Sequence, residues 1–253
     1  MNRATLLMDN PQAREAVINY ANTIDLTVGF SESDLEMVFT TSKSAIVHES
    51  YNRSRQLSDM ARALGLSNKA VRNFFAGKRF LDIGCGSGDI CLAIAKDLST
   101  EVTGIDMSDS FSEIPTKYAA NLRFKQMNGY NVHHEFEKEF DVVSSIYSHA
   151  YWAYLPEQAR ESVRTVIDLT KPGGSGIFIP IITNLILRQQ MLDAGDTSTE
   201  ELHALHARDH LRATTINELL MSEASGEVRL AFTASTRGQA GGYDEYSVIA
   251  QVQ

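Results

Sequence analysis

Cysteine is nearly absent from this 253-residue chain, which holds two residues, Cys85 and Cys91. That count excludes a disulfide-framed scaffold, and two thiols alone make no metal-ligand pattern. No long apolar run is present either. The most apolar stretch, Ile177–Leu187, is broken by Pro180, Thr183 and Asn184 and is too short to span a bilayer. Met1–Gln12 lacks the apolar core of a signal peptide. These absences lead us to expect a cytoplasmic protein that acts away from membranes. Positive charge is in deficit: the formal net charge is -9, which argues against a nucleic-acid partner tracked by its phosphates. With five prolines and sixteen glycines, the chain shows no internal repeat and no low-complexity tract. What remains is ordinary globular composition, 43% hydrophobic and 22% charged. Such a chain can bury a substantial core in one large domain or two small ones.

One stretch of nine residues, Leu81–Asp89, describes a single physical object. The apolar run Arg79–Ile83 reads as a buried parallel strand. Gly84, Gly86 and Gly88 then allow a tight turn and a close approach to a ligand, where no Cβ would fit. Asp89–Leu98 has the pattern of a helix, so the turn delivers backbone N–H groups at a helix N-terminus. An α/β sheet holds a nucleoside-like cofactor in this way, at the carboxyl end of its first strand. Spacing narrows the cofactor. A dinucleotide turn reads G-x-G-x-x-G, and a phosphate loop ends in Gly-Lys-Ser/Thr. Here the pattern is G-x-G-x-G after Leu-Asp-Ile, with no such Lys, and the spacing speaks against a nicotinamide dehydrogenase.

Further segments follow in order. Glu101–Ile105 reads as a second strand ending at Asp106, and Leu122–Met127 as a third ending at Asn128-Gly129-Tyr130. Phe140–Ile146 reads as a fourth strand and Lys171–Gly174 as the turn before a fifth, Ser175–Ile182. Taken together these segments resemble the ordered motifs of the class I S-adenosylmethionine-dependent methyltransferases, of small-molecule type, over roughly residues 78–253. The resemblance implies a Rossmann-like, doubly wound α/β fold with a seven-stranded sheet, mostly parallel with an antiparallel C-terminal strand. Val228–Ser235 and Tyr243–Val252 alternate as the closing antiparallel pair, a reversed strand pair ending an otherwise parallel sheet.

Before the glycine turn, residues 1–76 read as a helical N-terminal cap, and 77–253 as the methyltransferase-like domain. Pro11–Tyr20 puts Ala13, Ala16, Val17 and Tyr20 on one helical face. Ser33–Phe39 offers a Ser cap with Leu35, Val38 and Phe39 behind it, and Gln56–Leu64 ends at Gly65. Such helices suit a lid over the cofactor, or simple packing and a homodimer contact. Pro156 opens a helix carrying Val163, Val166, Ile167 and Thr170. Residues 184–211 exceed a normal connection and read as a helical insertion forming part of an acceptor pocket. Thr215-Ile-Asn-Glu218 has the form of a capping box opening a short helix.

The resemblance also implies roles. Gly84, Cys85, Gly86 and Gly88 would line the methionine part of S-adenosylmethionine and its product S-adenosylhomocysteine. Asp82 suits fixing the loop or holding the cofactor's amine through water. Asp106 falls where the family holds both ribose hydroxyls, since a carboxylate accepts from two adjacent donors; a plain helix N-cap is the structural alternative. Met107 would pack on the adenine, with Asn128, Gly129, Tyr130 and Ser145 around it. Asn128 replaces the family's commoner Asp, and it equally suits a turn beside Gly129.

After the fourth strand, Tyr147, Tyr151, Trp152 and Tyr154 cluster beside His149. The aromatic rings suit a substrate-binding wall or packing against the next helix. His149, with Tyr147, is the candidate for proton transfer, since imidazole is available as a base near pH 7. His203, His206 and His210 share a helical face, yet Leu202 and Leu205 lie beside them, and no metal is assigned. The expected activity is methyl transfer to N or O of a small organic acceptor by in-line displacement. The alternatives are an RNA or protein acceptor, and a cofactor-binding partner subunit without turnover. Ser144-Ser-Ile-Tyr147 stands where methylation of nucleic-acid amines uses an Asn/Asp-Pro-Pro-Tyr/Phe signature, which favours the small acceptor.

Overall fold

A computed structural model describes residues 9–31, 56–98, 100–109, 111, 120–148, 153, 155–183, 199–237 and 243–253. Seven strands form one sheet: β1 (Phe80–Ile83), β2 (Val102–Asp106), β3 (Leu122–Gln126), β4 (Phe140–Ile146), β5 (Thr170–Thr183), β6 (Val228–Arg237) and β7 (Tyr243–Val252). Their order across the sheet is β3-β2-β1-β4-β5-β7-β6. β1 to β5 pair in parallel, and β7 runs antiparallel to both β5 and β6. The expected antiparallel C-terminal strand is β7. β7 enters between β5 and β6, and β6 keeps the direction of the parallel set.

Among the described residues six α-helices lie on the two faces: α1 (Pro11–Asn22), α2 (Leu57–Ala63), α3 (Asn68–Phe75), α4 (Asp89–Leu98), α5 (Pro156–Leu169) and α6 (Thr199–Ala224). The central strand explains the layering. All four residues of β1 are buried, with Leu81 and Ile83 packed toward α1, α5 and α6, and Phe80 toward α2, α3 and α4. A strand covered on both faces must read as nearly continuous apolar sequence, as this one does. Each Val, Leu, Ile or Phe so enclosed contributes about 1.5–3 kcal/mol.

The described helices of the first 76 residues share these same two cores rather than forming a separate one. Asn10 caps α1 by accepting from the amides of Gln12 and Ala13, and Pro11 occupies the first turn. Ala13, Val17 and Tyr20 are buried as expected, while Ala16 is half-buried. The segment entering α1 covers the edge strand: the Asn10 amide donates to Phe232 O, and the Phe232 amide donates to Asp9 Oδ1. Unpaired edge groups would otherwise invite association with another chain. Arg14 clamps the same corner with a two-pronged pair to Glu223, at 2.7 and 3.0 Å, and a bond to Leu230 O. The helix expected at Ser33–Phe39 lies outside the described residues.

Two expectations about the second half are corrected. The Thr215–Glu218 capping box opens no helix, because α6 runs unbroken through it. Thr214 and Thr215 turn their hydroxyls back to the carbonyls of His210 and Leu211, at 2.8 and 3.0 Å. That bonding suits a threonine inside a helix. Continuity follows from burial: Ala207 and Leu211 pack in one apolar cluster, and Ala213, Ile216 and Leu219 pack in the main core, so buried residues run through the position. The second correction concerns α5, which ends at Leu169, so that Thr170 already pairs with Phe140 on β4. Pairing then resumes at Ser175 opposite Val142. Lys171–Gly174 is the excursion between these two pairs, so the turn sits inside the span of β5.

Candidate active site

Everything singled out near the glycine turn lies at the carboxyl ends of β1, β2 and β4. The turn hangs on β2: the amides of Gly84 and Cys85 both donate to Ile105 O, at 2.8 and 2.9 Å. Gly84 has φ +78°, and a Cβ there would stand 2.2 Å from Ser148 Cβ, so the chain leaving β1 touches the chain leaving β4. Gly86 has φ +55° with no heavy atom within 4 Å of where its Cβ would project. The first glycine is thus demanded by close packing and the second faces open space. Gly88 closes the turn by donating to Cys85 O, and its own carbonyl accepts from Leu92 in α4.

Asp106 ends β2, half-buried, with both oxygens engaged. Oδ2 accepts from the Gly86 amide at 2.8 Å, and Oδ1 accepts from the amide and hydroxyl of Ser108, each at 2.9 Å. A carboxylate has about four lone-pair positions, so acceptor capacity remains for a ligand's hydroxyls. Met107 follows with 65% of its surface exposed, unusual for so apolar a side chain. Gln126 on β3 donates to the Met107 carbonyl at 3.0 Å.

Asp82 is 3% exposed and buried inside the β1–β4–α4 junction. The parallel register sets Ser144 beside it, and the Ser144 hydroxyl donates to Oδ1 at 2.6 Å. Cys91 of α4 donates to Oδ2 at 3.7 Å. Contact with the Cys85 thiol, then burial and the Asp82 charge, hold the Cys91 thiol well above its ordinary pKa.

Asn128 caps a short 3-10 turn, Gly129–His134, and its Oδ1 accepts from the Tyr130 amide at 3.0 Å. The Tyr130 N–H, which the resemblance offers to an adenine ring, is directed in this structure at Asn128. Ser145 is buried, its hydroxyl 2.8 Å from that of Ser148. Tyr147 has φ +48°, a left-handed backbone that costs a side-chain-bearing residue about 1–2 kcal/mol. It stands where β4 gives out, its amide donating to Ile179 O. His149, Tyr151, Trp152 and Tyr154 lie outside the described residues.

The structure thus gathers Asp82, Gly84, Cys85, Gly86, Gly88, Asp106, Met107, Ser145 and Tyr147 at one end of the sheet. Ser108, Ser144, Ser148 and Gln126 were missed. Only Ser108 had a signal in the sequence, as a hydroxyl two residues after an Asp; the others act across strands. The three histidines of α6 do not come together as ligands. His203 and His206 are exposed, whereas His210 is buried with its ring edge-on to Phe30. Among the described residues no group of three His, Cys, Asp or Glu could hold a metal ion. Among them, too, no helix is long and apolar enough to cross a membrane.

The strand order, with one strand reversed, is that of a Rossmann-like, doubly wound α/β sheet, and the glycine turn and Asp106 stand at its carboxyl end. Residues 80–174 match the family model described as a methyltransferase domain. Among curated proteins it resembles the mitochondrial ubiquinone biosynthesis O-methyltransferase of Schizosaccharomyces pombe, 31% identical over 46% of this chain and 43% of that one. It also resembles the ubiquinone biosynthesis O-methyltransferase of Aeromonas salmonicida, 29% identical over 59% of this chain and 63% of that one. The chain thus matches about half the length of these relatives. Among solved structures, a Methanosarcina mazei methyltransferase overlaps 72% of this chain and 96% of its own at 18% identity and TM-score 0.49.

Proposed function

We propose that this protein transfers the methyl group of S-adenosylmethionine to an oxygen or nitrogen of a small organic acceptor. The observation that carries the reading is the junction of Gly86 and Asp106. An amide-anchored carboxylate stands beside a glycine that faces open space, with Met107 exposed next to it. These residues fit the cofactor: the turn would hold its methionine part, Asp106 its ribose hydroxyls and Met107 its adenine. The bound sulfonium supplies an activated methyl group, so this chain's own task is alignment and exclusion of water. Alignment of that kind is worth up to about 7–11 kcal/mol. Tyr147, at the end of β4, and His149, just beyond it, take the place of the residues that would meet the acceptor and hold its proton. Tyr151, Trp152 and Tyr154 would wall the acceptor site, with residues 184–211 and the N-terminal segment over it.

The curated relatives' names favour oxygen, and hence a hydroxylated aromatic ring as the first acceptor class to screen. Titration calorimetry of S-adenosylmethionine and S-adenosylhomocysteine, with NADH as control, tests the cofactor. Removing two charge-assisted bonds in Asp106→Ala should weaken both sulfur ligands by at least about 100-fold. Wild-type protein that binds neither would sink the proposal. If the cofactor binds but His149→Ala methylates acceptors at full rate, His149 is not the base.

A further inference from the structure

We propose that Met107 is a peroxide-sensitive modification site, where oxidation of the thioether to a sulfoxide weakens cofactor binding and bound cofactor shields the sulfur. This inference rests on the reading that the cofactor's adenine lies on Met107. Among the large apolar side chains of the described residues, Met107 and Met221 are the most exposed, at 65% and 66%, whereas Met60 is 2% exposed. The exposure of Met107 is not that of a loose loop, because its backbone is fixed. Its carbonyl accepts from Gln126 Nε2 at 3.0 Å. Before it, the Asp106 carbonyl accepts from the Met127 amide at 2.8 Å, and after it the Ser108 amide donates to Asp106 Oδ1 at 2.9 Å. A held backbone thus presents an apolar side chain to solvent at the carboxyl end of β2, next to the carboxylate that holds the Gly86 amide. Apolar surface left in water forgoes the stabilisation of burial, and a flat ligand ring laid on the thioether supplies it.

The step balances with hydrogen peroxide as the oxidant. A lone pair of the Met107 sulfur attacks one peroxide oxygen, the S–O bond forms and the O–O bond breaks. The transferred oxygen gives its proton to the departing hydroxide, which leaves as water. The sulfur is oxidised by two electrons, and one peroxide is reduced to one water. The product is a polar, chiral sulfoxide on a side chain that had been apolar, a change that methionine sulfoxide reductases reverse. Its oxygen keeps water on the face where adenine would pack, so the apolar contact is lost. Met221 is matched to Met107 in exposure and lies near the C-terminal end of α6. That end of α6 leads into the amino end of β6, at the opposite end of the sheet from the glycine turn. Met221 therefore reports the oxidation that exposure alone brings.

The test uses the full chain. Protein is exposed to hydrogen peroxide with and without S-adenosylmethionine, whose sulfonium resists this oxidant. Catalase then removes the peroxide, dithiothreitol returns any oxidised cysteine, and peptide masses give the sulfoxide at each methionine over time. At about ten times its Kd, S-adenosylmethionine should slow sulfoxide formation at Met107 about tenfold and leave Met221 unchanged. S-adenosylhomocysteine should bind the oxidised wild type about tenfold more weakly, and methionine sulfoxide reductases should restore the affinity. Met221→Leu should lose affinity on oxidation as the wild type does, whereas Met107→Leu, compared with itself before peroxide, should lose none. Protein that binds S-adenosylmethionine but oxidises at Met107 equally fast with and without it would overturn the proposal. A peroxide-induced loss of affinity that persists in Met107→Leu would overturn it too. Unoxidised protein that binds neither sulfur ligand removes the proposed function, and this inference with it.

Discussion

Alanine at Gly86 and at Gly84 should fail in opposite ways. At Gly86 the added methyl enters open space, so the cost to folding is the left-handed backbone at φ +55° alone, about 1 kcal/mol. In a chain of this size that lowers the melting temperature by about 2–4 °C. At Gly84 the methyl would lie 2.2 Å from Ser148 Cβ and 3.4 Å from Ser148 Cα. No rotamer moves a Cβ, so the β1–β4 junction itself must shift. Overpacking costs about 1–3 kcal/mol, and the backbone at φ +78° adds about 1 more, for a fall of roughly 5–15 °C. The assays are thermal unfolding followed by circular dichroism, and calorimetric titration with S-adenosylhomocysteine on each folded variant. Gly86→Ala should stay folded yet lose at least about tenfold in affinity, because its methyl occupies the ligand's side of the turn. A folded Gly86→Ala that binds like wild type would refute the placement of the ligand over Gly86. Equal losses of stability in the two variants would refute the packing argument.

Arg14→Ala should cost about 2–3 kcal/mol in denaturant unfolding, since it removes the two-pronged bond to Glu223 and the bond to Leu230 O together. Bonding to Arg14, above all, holds the Glu223 carboxyl below its ordinary pKa, so the unfolded chain takes up that proton first. The stabilisation is complete above about pH 4.3 and is lost as pH falls through the lower folded value. The gap between wild type and Arg14→Ala should therefore narrow in acid; a constant gap from pH 7 to pH 3 would contradict the assignment. Tyr20→Phe removes the donor 2.5 Å from Asp209, a carboxylate with no exposed surface, and should cost about 1–3 kcal/mol. Unchanged stability would mean that Asp209 is satisfied without it.

The ordered motifs were legible because each is local. A buried strand followed by glycines and a helix is written in consecutive residues, and β1, the turn and α4 stand where that pattern puts them. Asp106 was legible for the same reason, as the acidic residue ending the second strand. The capping box at Thr215 misled because its four residues fit two bonding schemes. Only the burial of α6 on both sides of that position selects the scheme in which the hydroxyls bond backward. The antiparallel C-terminal strand was legible from the alternation in β6 and β7, although alternation does not say between which neighbours each strand inserts.

The sequence alone determined the class of fold and the identity of the turn, since backbone freedom at glycines and the period of apolar residues are properties of short segments. The tertiary structure alone decided how the turn is used. Parallel register set Ser144 against Asp82, and the approach of β4 to β1 separated a glycine required for packing from one that faces open space. Each of these depends on distances between strands and helices, which no spacing along the chain encodes.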